Sequence, residues 1–319
     1  MYQETIYKGL LLSSDIKNAL KYLSESNQVE EERRIRNLLS ENIRSESTAK
    51  VSLICACYER YWQRIFYRQS QETTPLTKLE LDSQKELLKE VNEFVEIKQL
   101  SMEEMEKYLE ELFLQEGIYF MGGKTGLFYG PYIWKIDREQ PFVVDVFNEE
   151  REVNVHLLDD FLLRSWLSWL SNGKYGTAGW AKEDGLYCVL EAYQHNLTSY
   201  NFLISFLKHE TQHYIDYENY ELSNCELEYR AKLVELHYYK SPNFLIGLIH
   251  NGDFSDENNG HPYASAVITQ RLAEKLRITE HQLLEIAKKK ELWQNNESKI
   301  RELAKSLFEE DTLRLLDNK

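Results

Sequence analysis

The chain has 319 residues, of which 42% are hydrophobic and 13% aromatic, enough for a sizeable core and incompatible with wholesale disorder. Its formal net charge of −15 repels phosphate backbones and anionic lipids, so neither nucleic acid nor membrane is an expected partner. The four cysteines, Cys55, Cys57, Cys188 and Cys225, include no CxxC pair, which excludes a disulfide framework and a cysteine-based zinc site as expectations.

Residues 1–116 read as a helical N-terminal region. Apolar residues recur three or four apart among charges over Asp15–Leu23, Glu30–Ile43, Ala49–Phe66, Leu79–Val95 and Met102–Gln115. The start of the chain has no basic segment followed by an apolar one, and no apolar run approaches the roughly 20 residues that span a bilayer. A cytoplasmic protein is therefore expected.

The texture changes at Gly117, and residues 117–319 read as a second domain. Its sheet part, 117–190, begins with a glycine-rich stretch. Gly122-Gly123-Lys124-Thr125 lacks the earlier glycine of a phosphate loop, since Ile118 stands there. Tyr132–Ile136, Phe142–Phe147 and Glu152–Leu157 predict antiparallel strands separated by polar turns. Leu158–Ser171, with Trp166 and Trp169, predicts a helix. Gly185–Leu190, introduced by Trp180-Ala181, predicts one more strand. A helical part over 224–319 closes the chain, with Pro262 expected at the first position of a helix. Segregated strands and helices make the fold class α+β.

Between the last strand and the C-terminal helices lies a predicted helix over 198–217, with Phe202, Leu203, Phe206, Leu207 and Ile215 in helical repeat. It carries His209-Glu210-Thr211-Gln212-His213. Residues four apart share a helix face, so both imidazoles can converge on one ion. Glu210, next to the first histidine, suits a general base rather than a ligand. This spacing is the HExxH pattern of zinc metallopeptidases.

The layout, a sheet followed by an HExxH helix, resembles the zincin-like peptidases, in which a mixed sheet packs on the active-site helix and its edge strand holds the substrate. A catalytic zinc site takes three protein ligands. Asn219 stands where metzincins need a third His, so that branch does not fit. Gluzincins draw a Glu from a following helix, often as Glu-x-x-Ala, and Glu228 with Ala231 resembles that setting. The resemblance makes Glu228 the third ligand, with Glu226 as alternative. Asp216 remains open as a ligand from the motif helix itself or as an acceptor for an imidazole N–H, and Glu235 shares the Glu228 face. Residues 175–240 together resemble an uncharacterised bacterial family of zincin-like proteins.

The expected activity is peptide-bond hydrolysis with a Zn²⁺ cofactor, a peptide or protein substrate and Glu210 as general base. An oxyanion donor is expected among His261, Tyr263, His237 and His250, with His261 preferred. The alternative is a metal-binding or interaction protein that keeps the scaffold without turnover.

Overall fold

A computed structural model describes residues 2–45, 47–95, 101–147, 149–257 and 259–317. The fold is α+β, and it divides into two compact units. One holds the chain up to Asp137 together with Asp159–Gly176, the other Arg138–Leu158 and everything from Thr177 onward.

The first unit opens with helices α1 (Glu4–Leu12), α2 (Ile16–Glu25), α3 (Val29–Ser40), α4 (Lys50–Gln71), α5 (Leu76–Val95) and α6 (Met102–Gln115). Two of them start where their side chains cap them. The Asp15 carboxylate accepts the Asn18 N–H, and Ser101 with Glu104 forms a reciprocal capping box. Helix α1 escapes the sequence reading because its nine residues show little charge contrast, yet Tyr7 and Leu11, four apart, are buried. Helix α4 supplies the centre of this core: Tyr58, Tyr61, Trp62, Ile65 and Phe66 have no exposed surface. Each such side chain contributes about 1.5–3 kcal/mol of burial.

Short strands β1 (Tyr119–Met121), β2 (Lys124–Thr125) and β3 (Phe128–Tyr129) follow. The Gly-Gly-Lys-Thr stretch leads into a tight hairpin: Glu106 accepts the Gly123 N–H at 2.7 Å, and Lys124 lies 3.4 Å from Glu80. The unit also holds the start of β4 (Tyr132–Val146), which pairs antiparallel with β1, and the end of β5 (Glu149–Arg164). Helix α7 (Ser165–Leu170) completes it.

Two expectations need correction here. The three strands expected over 132–157 are two long ones, because the separator Asp137–Pro141 is strand rather than turn. Residues 135–143 are largely exposed, so their polarity records solvent and not a break. The helix expected from Leu158 starts only at Ser165. The intervening leucines and Phe161 belong to β5, with Phe161 meeting Trp134 of β4 ring to ring. Asn148, placed in a turn by its sequence, lies outside the described residues.

In the second unit the strand order is β4-β5, then β7 (Gly185–Val189), then β6 (Gly179–Lys182) at the edge. Strand β7 runs parallel to β5 from Val155↔Leu186 to Leu158↔Val189, and antiparallel to β6. All five residues of β7 are buried. Their apolar run follows from cover on both faces.

After a 3-10 turn at Leu190–Tyr193 the chain enters a π-helical segment, Asn201–Lys208, which passes directly into α8 (His209–Asn219). The single helix expected over 198–217 is thus two kinds of helix. Phe202 and Phe206 of the π segment are fully buried and pack with Val155, Leu186 and Cys188 of the sheet. Then come α9 (Asn224–Tyr238), α10 (Asn243–Asn251), α11 (Gly260–Leu276), α12 (Glu280–Lys288) and α13 (Lys290–Asp317). Helix α11 begins two residues before Pro262, which still falls within the first turn, where its missing N–H leaves no bond unmade.

Gly179 sets the fit between edge strand and π segment. A Cβ there would lie 2.4 Å from the Phe206 ring and 2.7 Å from the Tyr187 carbonyl. Gly179→Ala is expected to cost about 1–3 kcal/mol by overpacking, read as a fall in Tm of roughly 3–10 °C. An unchanged Tm would mean that Phe206 yields without cost. Among the described residues no helix is long and apolar enough to cross a membrane.

Candidate metal centre

Helix α8 begins at His209, so both histidines of the motif stand in its first five residues. They are 6% and 7% exposed. Their rings meet nearly at right angles, and the two Nε2 atoms are 3.0 Å apart. Helix α9 packs on α8, and Ala231 has no exposed surface. Glu228, one turn earlier, puts Oε1 3.5 Å from His213 Nε2 and Oε2 3.9 Å from His209 Nε2. The three donor groups lie within 4.8 Å of one another.

These residues fit a metal ion. Ligands at about 2.0–2.2 Å in a tetrahedron stand about 3.3 Å from each other, against 3.0, 3.5 and 3.9 Å here. Two buried imidazoles that aim the same nitrogen at one another, with a carboxylate opposite, form a donor set a cation satisfies better than protons do. His213 Nδ1 is buried without a hydrogen-bond partner.

The far side of His209 is held by Glu235, whose Oε1 lies 2.7 Å from Nδ1. A carboxylate accepts there, so Nδ1 carries a hydrogen and Nε2 is the nitrogen that faces the cluster. Burial alone would lower the pKa of His209, but Glu235, with Glu210 and Glu228 behind it, pushes it up to about 9. Glu235, seven residues after Glu228 on the same face, thereby takes the supporting role that the sequence also left open for Asp216. Burial raises the pKa of Glu228. The imidazoles of His213 and His261, with His209 beyond, outweigh burial and hold the carboxyl well below the usual range. His261 Nδ1 lies 2.6 Å from Glu228 Oε2, and Lys232 Nζ 3.6 Å from the same oxygen.

The other acids are engaged elsewhere. Glu226 is the third residue of α9, where it accepts the Ser223 N–H at 3.0 Å and meets Arg314 at 3.0 Å. Asp216 is fully buried, and both its oxygens accept from Arg230 Nε, at 2.9 and 3.0 Å. Burial, only partly offset by Arg230 and Gln212, raises its pKa. Arg230 also reaches Asp311 at 3.1 Å and lies over the Phe308 ring. The clamp therefore joins α8, α9 and α13. Among the remaining candidates for an oxyanion donor, His237 is turned to the Arg301 carbonyl and Tyr263 to the Phe254 ring. His250 sits at the end of α10. Of the four, His261 alone contacts a cluster residue.

Glu210 is half-buried and makes no hydrogen bond or ion pair among the described residues. Its charge is felt by Cys188 and Tyr193 and by His209 and Tyr217. Burial first, and Glu210 next, push the Cys188 thiol up to about 12. Two residues that sequence reasoning passed over also belong here. Lys232 follows Glu228 by one turn, and Tyr217 follows His213 by one turn and stacks on its ring at 6.3 Å. Their spacing was legible, but a lysine and a tyrosine on helices full of both carried no signal of their own.

No family model, curated protein or solved structure matches this chain.

Proposed function

We propose that the chain is a zinc-dependent peptidase of gluzincin type, built on a zincin-like core. One observation carries the reading. Two histidines and a glutamate from successive helices converge, while the glutamate between the histidines stays out of the cluster and has no hydrogen bond or ion pair among the described residues. A scaffold that merely stored metal has no use for an uncommitted carboxylate at that position.

His209, His213 and Glu228 would hold the ion, and Glu235 keeps His209 in the ligating tautomer. Zinc bound there supplies Lewis acidity toward a carbonyl oxygen and makes a water acidic enough to ionise near neutral pH. Glu210 takes the proton that the attacking water loses and returns it to the departing amine. His261, exposed beside Glu228, is the donor we assign to the oxyanion. Strand β6 pairs only with β7 among the described residues, so its outer edge offers backbone N–H and C=O groups to an extended peptide. That edge beside α8 supports the zincin-like reading of the core.

The test is hydrolysis of an unfolded protein by the zinc-reconstituted chain. Activity should vanish with a chelator and return with zinc. His209→Ala and His213→Ala should each lose zinc by elemental analysis, since one of three ligands is gone. Full occupancy in both variants, or cleavage indifferent to the chelator, would refute the reading.

A further inference from the structure

A cleft of about 930 Å³ opens between α8 and the β6–β7 hairpin. That is at the upper end of what small-molecule sites occupy. Its wall on the helix side is Tyr214, Tyr217 and Glu218, and its wall on the hairpin side includes Lys182, Glu183 and Asp184. Tyr217 is shared with the metal centre, because its ring stacks on His213. A group lying in this cleft is therefore next to the reacting bond of any peptide held at the metal.

The charges in the cleft are unequal. Glu183 has no ion pair or hydrogen bond among the described residues. Asp184 accepts only the neutral Tyr187 hydroxyl, at 2.8 Å. Glu218 is met by Arg151 at 3.2 Å. The one cation of the lining, Lys182, lies over the Tyr187 ring at 4.9 Å. Glu183 and Asp184 are thus left without a cationic partner among the described residues, in a cleft also lined by Tyr214 and Tyr217. Aromatic faces and carboxylates together attract an ammonium or guanidinium group. An acidic or phosphorylated segment would meet like charge, and the net charge of −15 would oppose its approach.

We infer that this cleft is a specificity subsite which takes a lysine or arginine side chain of the peptide substrate. The inference rests on the peptidase reading for the position of the scissile bond. The cleft itself can be tested without turnover.

The protein to use is the full chain with Glu210→Gln, loaded with zinc. The probes are fluorescent dodecapeptides of Ala and Ser carrying a single Lys, Glu or Leu at each position in turn. Anisotropy should give a Kd at least about tenfold lower for some Lys positions than for Glu or Leu there. That preference should shrink with salt. It should disappear in a version that also carries Glu183→Gln and Asp184→Asn, whose zinc content reports intact folding. Both side chains are solvent-exposed and outside the metal cluster. In the active parent, kcat/KM should follow the same order. Equal affinities for Lys, Glu and Leu peptides would overturn the inference even if all three are cleaved. So would a preference that survives the double substitution. Selective, salt-sensitive binding without cleavage of any peptide would sustain the subsite and count against the peptidase reading alone.

Discussion

Glu210→Gln should reduce peptide hydrolysis by about 10²–10⁴-fold, the span of a general base, and leave one zinc per chain. The amide keeps the size of the side chain and removes only its capacity to accept a proton. No hydrogen bond or ion pair among the described residues depends on that carboxylate. Glu228→Gln should behave in the opposite way, with zinc lost first and activity following it. Its side chain is 8% exposed and its carboxylate faces both Nε2 atoms. Weakening by more than the roughly 10–100-fold typical of residues behind the ligands is expected. Glu226→Gln should bind zinc like the parent, because that side chain caps α9 and meets Arg314. Zinc titration and kcat/KM on the three variants separate base, ligand and cap. A Glu210→Gln protein that turns over at the parent rate would remove Glu210 from the chemistry.

The second large effect concerns folding. Arg230→Met should destabilise the second unit by about 3–5 kcal/mol, the cost of leaving buried charge without its partner. Asp216, whose side chain is 0% exposed, would lose the guanidinium that neutralises it, while Asp311 would keep Arg314 at 3.0 Å. Thermal unfolding should show a drop of roughly 6–20 °C. The penalty should ease on acidification. Burial already holds the Asp216 carboxyl above its ordinary value even with Arg230 present. The folded form thus binds that proton more tightly than the unfolded chain, and removing Arg230 widens the difference. Stability of the variant relative to the parent should therefore recover as the pH falls toward and below the raised value. A gap that is constant with pH would mean that Asp216 is neutralised by something else.

Much of this site could be read from the chain before its structure. His209 and His213 are four apart on a helix, and a spacing of four is geometry. Glu228 was reached through its neighbour Ala231, whose small side chain is buried where α9 packs on α8. Glu235 and Asp216 could not be ranked in advance. Both are acids on suitable helix faces, and only the position of Arg230, fourteen residues from Asp216 in the chain, decides which one is already taken. Helices α2 to α6 were legible because charged and apolar faces alternate along them. Strands β4 and β5 were not, since their exposed middle has the composition of a loop. The boundary of the strand at Ser165 was hidden because Leu157, Leu158, Phe161 and Leu162 satisfy a helical repeat as readily as a strand.

The π-helical segment ahead of His209 has a consequence for how the chain tolerates changes in length. Its eight residues are bonded one place further along than α-helical ones. Removing one residue from within Asn201–Lys208 would let the remainder close into α-helical bonding, in register with α8. The same deletion between His209 and His213 would swing everything beyond it by about 100° around the axis and pull His213 away from His209. An alignment gap of one residue just upstream of the motif would accordingly be a change the His209–His213–Glu228 cluster survives. A gap of one residue inside the motif would end it.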